Sequence, residues 1–263
     1  MKKKIKSIFI GGKAIGYNAL KILINKKNSP IYVVGNLDDY SKDNQWHNST
    51  IKLAKKNKIN ILNLKQLKKK ISKNKLINID IIFCIGSTQI LPIEVINLPR
   101  LGTLNIHPSL LPKYRGRYST VYSIFNGDKI TGATAHWINE KIDTGNIISK
   151  KIIKIKPHYT AKDLYNEFTE VGTKLFIEIF KKIKNNAKIK SYKVGKLKMK
   201  YNRKSLPNNG KINWNWKGKK IFNFIRSMTF APFAPPSFFI GKKKYLIVPE
   251  KQIKKIKFKR SPK

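Results

Sequence analysis

The chain reads as an α/β protein built on a doubly wound, mainly parallel sheet, with a small carboxyl-terminal α+β extension. Three observations predict this. Residues 5–10 read as a buried strand that passes through Gly11-Gly-Lys-Ala-Ile-Gly16 into an amphipathic helix reaching about Ile24. Strand, glycine turn and helix in that order open a Rossmann-like unit. Apolar runs at 31–34, 59–64 and 79–85 then alternate with helical patterns at 48–57 and 65–75, as strands joined by crossover helices do. Past residue 205 the order changes to one helix followed by a hairpin.

Taken in order, the first turn is G-G-x-x-x-G, which departs from the G-x-G-x-x-G dinucleotide fingerprint. No ribose-binding acid closes Ile31-Tyr-Val-Val34 in a clean context. A tight turn is the favoured reading, with a phosphate or sugar on the backbone amides as the alternative. The segment Leu37-Asp-Asp-Tyr-Ser-Lys-Asp-Asn-Gln-Trp46 is polar and holds three of the 13 acids. It reads equally as a substrate contact and as a solvated loop with Trp46 packed beneath it. Ile79-Asp-Ile-Ile-Phe-Cys-Ile85 is the central buried strand, and Gly86-Ser-Thr-Gln-Ile-Leu-Pro92 leaves its carboxyl end, where open α/β sheets bind ligands. Residues 118–126 read as a helix stopped by Gly127, then 131–138 and 146–156 as strands. His136 in the first of these reads as packed or hydrogen-bonded rather than catalytic. Thr160 caps a helix over 161–184, with Leu164, Phe168, Val171, Leu175 and Ile179 facing the core. A helix over 218–228 and a hairpin over 237–248, turning at Gly241-Lys242, complete the pattern. The expected divisions are a catalytic domain at 1–184, a basic linker at 185–204, a small subdomain at 205–250 and a basic tail at 251–263.

A length of 263 residues and 41% hydrophobic content suit a chain that buries a proper core. The net charge of +44 suggests a polyanion partner. However, six of the 57 basic residues are Arg, leaving 51 Lys, and Ile and Asn are abundant beside them. A/T-rich coding would produce those three residue types without a selected ligand, although it does not explain why acids are so few. The composition reading is preferred to selected anion binding. Cys84 lies in an apolar run and reads as a core thiol; one cysteine supports neither a disulfide framework nor a metal cluster. The apolar run Ile8-Phe-Ile10 is too short for a signal-peptide core, and no stretch is long enough to span a bilayer. A cytoplasmic protein without membrane contact is expected.

The chemistry concentrates at Thr103-Leu-Asn-Ile-His-Pro-Ser-Leu-Leu-Pro-Lys-Tyr-Arg-Gly116. Asn105 and His107 leave the same face of a strand while Ile106 enters the core. Pro108 ends the ladder where the two polar groups are presented. Asn139-Glu-Lys-Ile-Asp-Thr-Gly145 reads as a loop with Asp143 near its tip. An Asn, a His and an Asp brought together can stabilise an oxyanion and move a proton.

The block N-I-H-P-S-L-L-P-x-Y-R-G together with I-D-T-G-x-I-I resembles the folate-dependent formyltransferases. The resemblance implies Asn105, His107 and Asp143 as the catalytic set and 10-formyltetrahydrofolate as the formyl donor. It places the pterin against the backbone at Gln89, Ile90 and Leu91, with Glu140 as a further cofactor contact, and it requires no metal. The tail resembles that of enzymes acting on nucleotide-linked amino sugars, so the expected acceptor is the primary amine of such a sugar. Methionyl-tRNA formyltransferase is the alternative, and it would use the positive charge. That enzyme resembles a longer chain with an Arg- and Gly-rich loop where Asp38, Asp39 and Asp43 stand here. Glycinamide ribonucleotide formyltransferase is a further alternative that lacks such a tail. A non-catalytic, basic RNA-binding or scaffold protein is the reading from a different class. A homodimer is left open.

Overall fold

The computed structural model describes residues 4–40, 46–195, 205–230 and 234–248. Its elements, in chain order, begin with β1 (Ser7–Gly11), α1 (Lys13–Asn25), β2 (Tyr32–Gly35), α2 (Thr50–Lys56), β3 (Asn60–Ile61), α3 (Leu64–Ser72) and β4 (Ile81–Ile85). They continue with α4 (Ile93–Ile96), β5 (Thr103–His107), α5 (Ser119–Phe125), β6 (Ile130–Trp137), β7 (Ile147–Lys154) and α6 (Ala161–Lys184). The last three are α7 (Gly218–Met228), β8 (Ser237–Ile240) and β9 (Lys243–Leu246).

Seven strands form one sheet in the order β3-β2-β1-β4-β5-β6-β7. The first five are parallel, and β6 and β7 run antiparallel to their neighbours. The expected doubly wound, mainly parallel sheet is therefore present. Its strand order reverses between β1 and β4, where such sheets open a crevice at their carboxyl ends.

β1 and β4 are buried at every residue, as central strands covered on both faces must be. Alternate residues serve different cores. Phe9, Phe83 and Ile85 join one cluster with residues of α1, α5 and α6, while Ile8, Ile10, Ile82 and Cys84 join another with Leu67, Val95 and Ile96. α6 starts at a reciprocal cap: the Thr160 hydroxyl accepts from Asp163 N, and the Asp163 carboxylate accepts from Thr160 N. Its buried stripe runs through Gly172, and the expected Val171 is only partly buried. A side chain at Gly172 would sit 2.7 Å from Ile15 Cδ1, so the close approach of α6 to α1 takes the glycine.

Several boundaries differ from expectation for local reasons. β3 stops at Ile61 because Asn63 accepts from Gln66 N at 2.8 Å and its own N–H donates back to the Gln66 carboxamide. That cap starts α3. At Gly11, with φ +140°, a Cβ would lie 2.0 Å from Ile85 O. The tight-turn reading of Gly11-Gly12 thus describes close packing of β1 on β4.

The carboxyl-terminal elements follow their expected bounds, with α7 packing on α5 through Phe224 and Phe125. Arg226 donates to Tyr159 O at 2.8 Å and ties α7 to the loop before α6. Within the stretch read as a linker, Tyr192 pairs with Ile147 through both main-chain hydrogen bonds. Residues 196–204, the tail 251–263 and Asp43 lie outside the described residues. Among the described residues no helix is long and apolar enough to cross a membrane.

Candidate active site

β5 ends at Pro108 and leaves Asn105 and His107 on one face, with Ile106 buried in the opposite core. The imidazole of His107 is almost wholly enclosed. Its Nε2 lies 2.7 Å from Tyr114 O, and because a carbonyl only accepts, that nitrogen carries a proton. Ser119 Oγ stands 3.3 Å from the same nitrogen. Nδ1 faces Asp143 Oδ2 at 3.4 Å. A bare lone pair there would repel the carboxylate, so the arrangement favours a second proton and an imidazolium.

Asp143 reaches this position from the loop after β6, in a left-handed backbone conformation with φ +51°. Gly116 N donates to its Oδ2 at 2.6 Å. Burial pushes the carboxyl up, but the His107 charge, the neighbouring His136 and the Gly116 N–H outweigh it. Asp143 is held well below the usual carboxylate range. The loop is closed by the main chain of one residue. Trp137 N donates to Asn146 O at 2.9 Å, and a side chain at Gly145 would stand 1.8 Å from Trp137 O. Thr144 Oγ1 donates to Asn139 Oδ1 at 2.7 Å, bracing the loop internally.

The structure therefore brings Asn105, His107 and Asp143 together, and it adds a residue the sequence reading placed outside the chemistry. His136 is directly opposite Asn105 in the β5–β6 register, next to a bulge at Ala135. Its Nε2 is 3.1 Å from Asn105 Nδ2 and 3.5 Å from Asp143 Oδ1. It is hydrogen-bonded, as expected of it, but within this cluster. The alternation of small and large residues in 131–138 marked a strand without showing its register.

The residues suggested for folate are less uniform. Gln89 Nε2 donates to Gly35 O at 3.0 Å, so its side chain is spent on the fold. Leu91 is buried in the core cluster of α3 and α4, whereas Ile90 and Glu140 are exposed. No hydrogen bond to another described residue uses the main-chain N–H of Ile90 or Leu91. Gly86, with φ +65°, starts this turn, and a Cβ there would stand 2.3 Å from Gly12 O. Cys84, below it, is a core thiol that burial pushes up to about 12, against a weaker opposing hydrogen bond with Ser87. It is no nucleophile.

The acidic loop requires a correction. Asp39 is buried, accepts from Ile51 N at 3.1 Å and from the Thr50 hydroxyl, and so anchors α2. Asp38 pairs with Lys13 at 2.8 Å. Trp46 packs against Tyr165 and Phe230, with Lys13 Nζ over its ring. Asp39 thus serves the fold and adds no surface charge against an acceptor, and the half-exposed charge of Asp38 is paired with Lys13.

Comparisons with known proteins bear on the chemistry. The family model described as formyl transferase matches residues 7–180. The chain is 35% identical over 221 residues to the bifunctional polymyxin resistance protein ArnA of Wigglesworthia glossinidia brevipalpis, covering 82% of this chain and 33% of that protein. It is 36% identical over 156 residues to methionyl-tRNA formyltransferase of Thermodesulfovibrio yellowstonii, covering 59% of this chain and 50% of that one. The chain thus spans a third to a half of these curated relatives. The Wigglesworthia methionyl-tRNA formyltransferase is 31% identical over 93% of this chain and 77% of its own length. Among solved structures, a sugar 3N-formyl transferase, WlaRD, with dTDP and 5-N-formyl-THF matches at TM-score 0.72 and 30% identity, covering 87% and 80% of the two chains. The N-formyltransferase from Helicobacter canadensis with folinic acid and dTDP-3-aminofucose matches at 0.72 and 29%, covering 86% and 81%.

Proposed function

We propose a function for this chain from one premise: it belongs to the formyl transferase family, whose model matches residues 7–180. The function is transfer of a formyl group from 10-formyltetrahydrofolate to the primary amine of a nucleotide-linked amino-deoxy sugar. The observation that carries the chemistry is the buried Asp143 carboxylate set between His107 and His136, with Asn105 beside it. The neutral amine attacks the formyl carbon, forming a C–N bond and a tetrahedral oxyanion. Asn105 donates an N–H to that oxyanion, and the His107 imidazolium supplies positive charge next to it. As the bond to the folate nitrogen breaks, the proton lost by the amine passes to the departing nitrogen, with Asp143 keeping His107 charged and oriented throughout.

The donor suits the residues present. A pterin edge carries donors and acceptors like those of a nucleobase, and the main-chain groups of Ile90 and Leu91 are available to it among the described residues. Exposed Ile90 offers an apolar contact. Folate analogues accompany both of the sugar N-formyltransferase structures described above.

For the acceptor, the likeness to those two structures covers more than four-fifths of this chain, and so extends past residue 180 into the tail. Methionyl-tRNA is the second reading, favoured by the 93% coverage of this chain by the Wigglesworthia enzyme. The test is a formyl-transfer assay with formyl-folate over a panel of amino-sugar nucleotides and charged initiator tRNA. Turnover with an amino-sugar nucleotide and none with tRNA is expected. Efficient tRNA formylation would replace the first acceptor with the second. No transfer to any acceptor, with RNA copurifying until high salt removes it, would return the chain to a non-catalytic RNA-binding role.

A further inference from the structure

We propose that His136 is a positioning residue that fixes which way the Asn105 carboxamide faces; this rests on Asn105 being the oxyanion donor proposed above. The two residues are register partners across β5 and β6. His136 is 1% exposed. Its Nδ1 lies 2.8 Å from Trp137 O. A carbonyl cannot donate, so Nδ1 holds the ring proton, and in the neutral imidazole Nε2 is then a bare acceptor.

That lone pair distinguishes the two ends of an amide that are otherwise nearly alike in shape. Asn105 Nδ2 at 3.1 Å satisfies it, whereas the flipped carboxamide would set Oδ1 against another acceptor. With one N–H given to His136, the second is pinned in direction and remains for the reacting oxygen. Asp143 Oδ1, 3.5 Å from the same nitrogen, calls for the opposite state, a proton on Nε2. That distance is longer than an ordinary hydrogen bond. Asp143 also already takes Gly116 N–H at 2.6 Å and faces His107. The shorter contact decides, and Nε2 accepts.

Two substitutions separate the ring's two contacts. In His136→Gln the side-chain oxygen reaches the place of Nε2 and can accept from Asn105. In His136→Asn the shorter amide reaches only the place of Nδ1 and keeps the bond to Trp137 O. The glutamine variant is expected to retain kcat within about tenfold. The asparagine variant should lose on the order of 100- to 1,000-fold in kcat, the scale of one oxyanion donor, with KM for both substrates within about threefold. Added to Asn105→Ala, His136→Asn should cost less than about threefold more, since both changes remove one function. Additive losses, or equal losses in both histidine variants, would overturn the proposal. A measurement on substrate-free protein keeps it separate from the choice of reaction. Ring nitrogen-15 spectra should show Nδ1 protonated and Nε2 bare, with the Nε2 resonance moving in Asn105→Ala. A protonated Nε2 would overturn the proposal whatever the protein formylates.

Discussion

Replacing Asp143 by Asn removes one charge while keeping an oxygen for the Gly116 N–H, 2.6 Å away, so the loop keeps its anchor. The lost quantity is the attraction between the carboxylate and the His107 ring at 3.4 Å. At an effective dielectric of about 20, unit charges at that separation attract by about 5 kcal/mol. Taken wholly from transition-state stabilisation, this is between three and four decades in rate. Relief of the burial cost returns part of it, so kcat should fall by about 1,000-fold, measured by single-turnover formyl transfer. A stability test accompanies the kinetic one. The folded Asp143 carboxyl is depressed, so its contribution is fully present above the unfolded carboxyl value of about 4 and is lost as pH falls below it. Wild type should therefore lose thermal stability below about pH 4 more steeply than Asp143→Asn. A variant turning over within tenfold of wild type, or parallel stability curves for the two proteins, would refute the charge argument.

Four further outcomes are expected. His107→Asn should fold, by circular dichroism and melting, and lose at least about 100-fold in turnover, as removal of a general acid or oxyanion stabiliser does; near-wild-type turnover would end its catalytic assignment. A formyl-folate analogue should raise the melting temperature progressively with its excess over Kd, and no shift at millimolar concentration would remove the donor site. Acceptor binding, followed by titration calorimetry, should weaken only mildly with salt through screening; a fall of orders of magnitude between about 50 and 200 mM would indicate polyanion contacts. Asp39→Asn should cost about 1–3 kcal/mol in urea unfolding because it weakens a buried acceptor used by Thr50 and Ile51, while leaving acceptor preference as in wild type.

What the sequence made legible were features whose causes are local. Thr160 and Asp163 cap one another three residues apart, so the start of α6 is written in four residues. Gly241 marks the β8–β9 turn with φ +57°, and Pro108 ends β5 wherever that strand lies. The pairing of Asn105 with His136 was hidden because it depends on the register of two strands 31 residues apart along the chain. A shift of one residue would have turned His136 to the other face. Asp39 misled for a different reason. Its polar neighbours indicate a loop, but whether an acid in a loop faces water or caps a neighbouring helix depends on where α2 packs. Val171 packs against the core as expected but stays half-buried: helical period locates a stripe, and the closeness of α1 decides which residue on it has no side chain.

The main chain of Trp137 closes the Asp143 loop through its N–H and receives the His136 ring proton at its carbonyl. These contributions come from main chain, which every non-proline amino acid supplies. A mutational screen of the cluster would therefore find position 137 permissive toward residues that fit beside Gly102, and would score it as dispensable. Dependence on that stretch of main chain would surface elsewhere, at Gly145, where any added side chain meets the same carbonyl. Saturation data would thus make a shared main-chain anchor look like a glycine requirement eight residues away. Replacing the amide at 137 with an ester, which deletes the donor and leaves the side chain untouched, is the kind of change that would expose it.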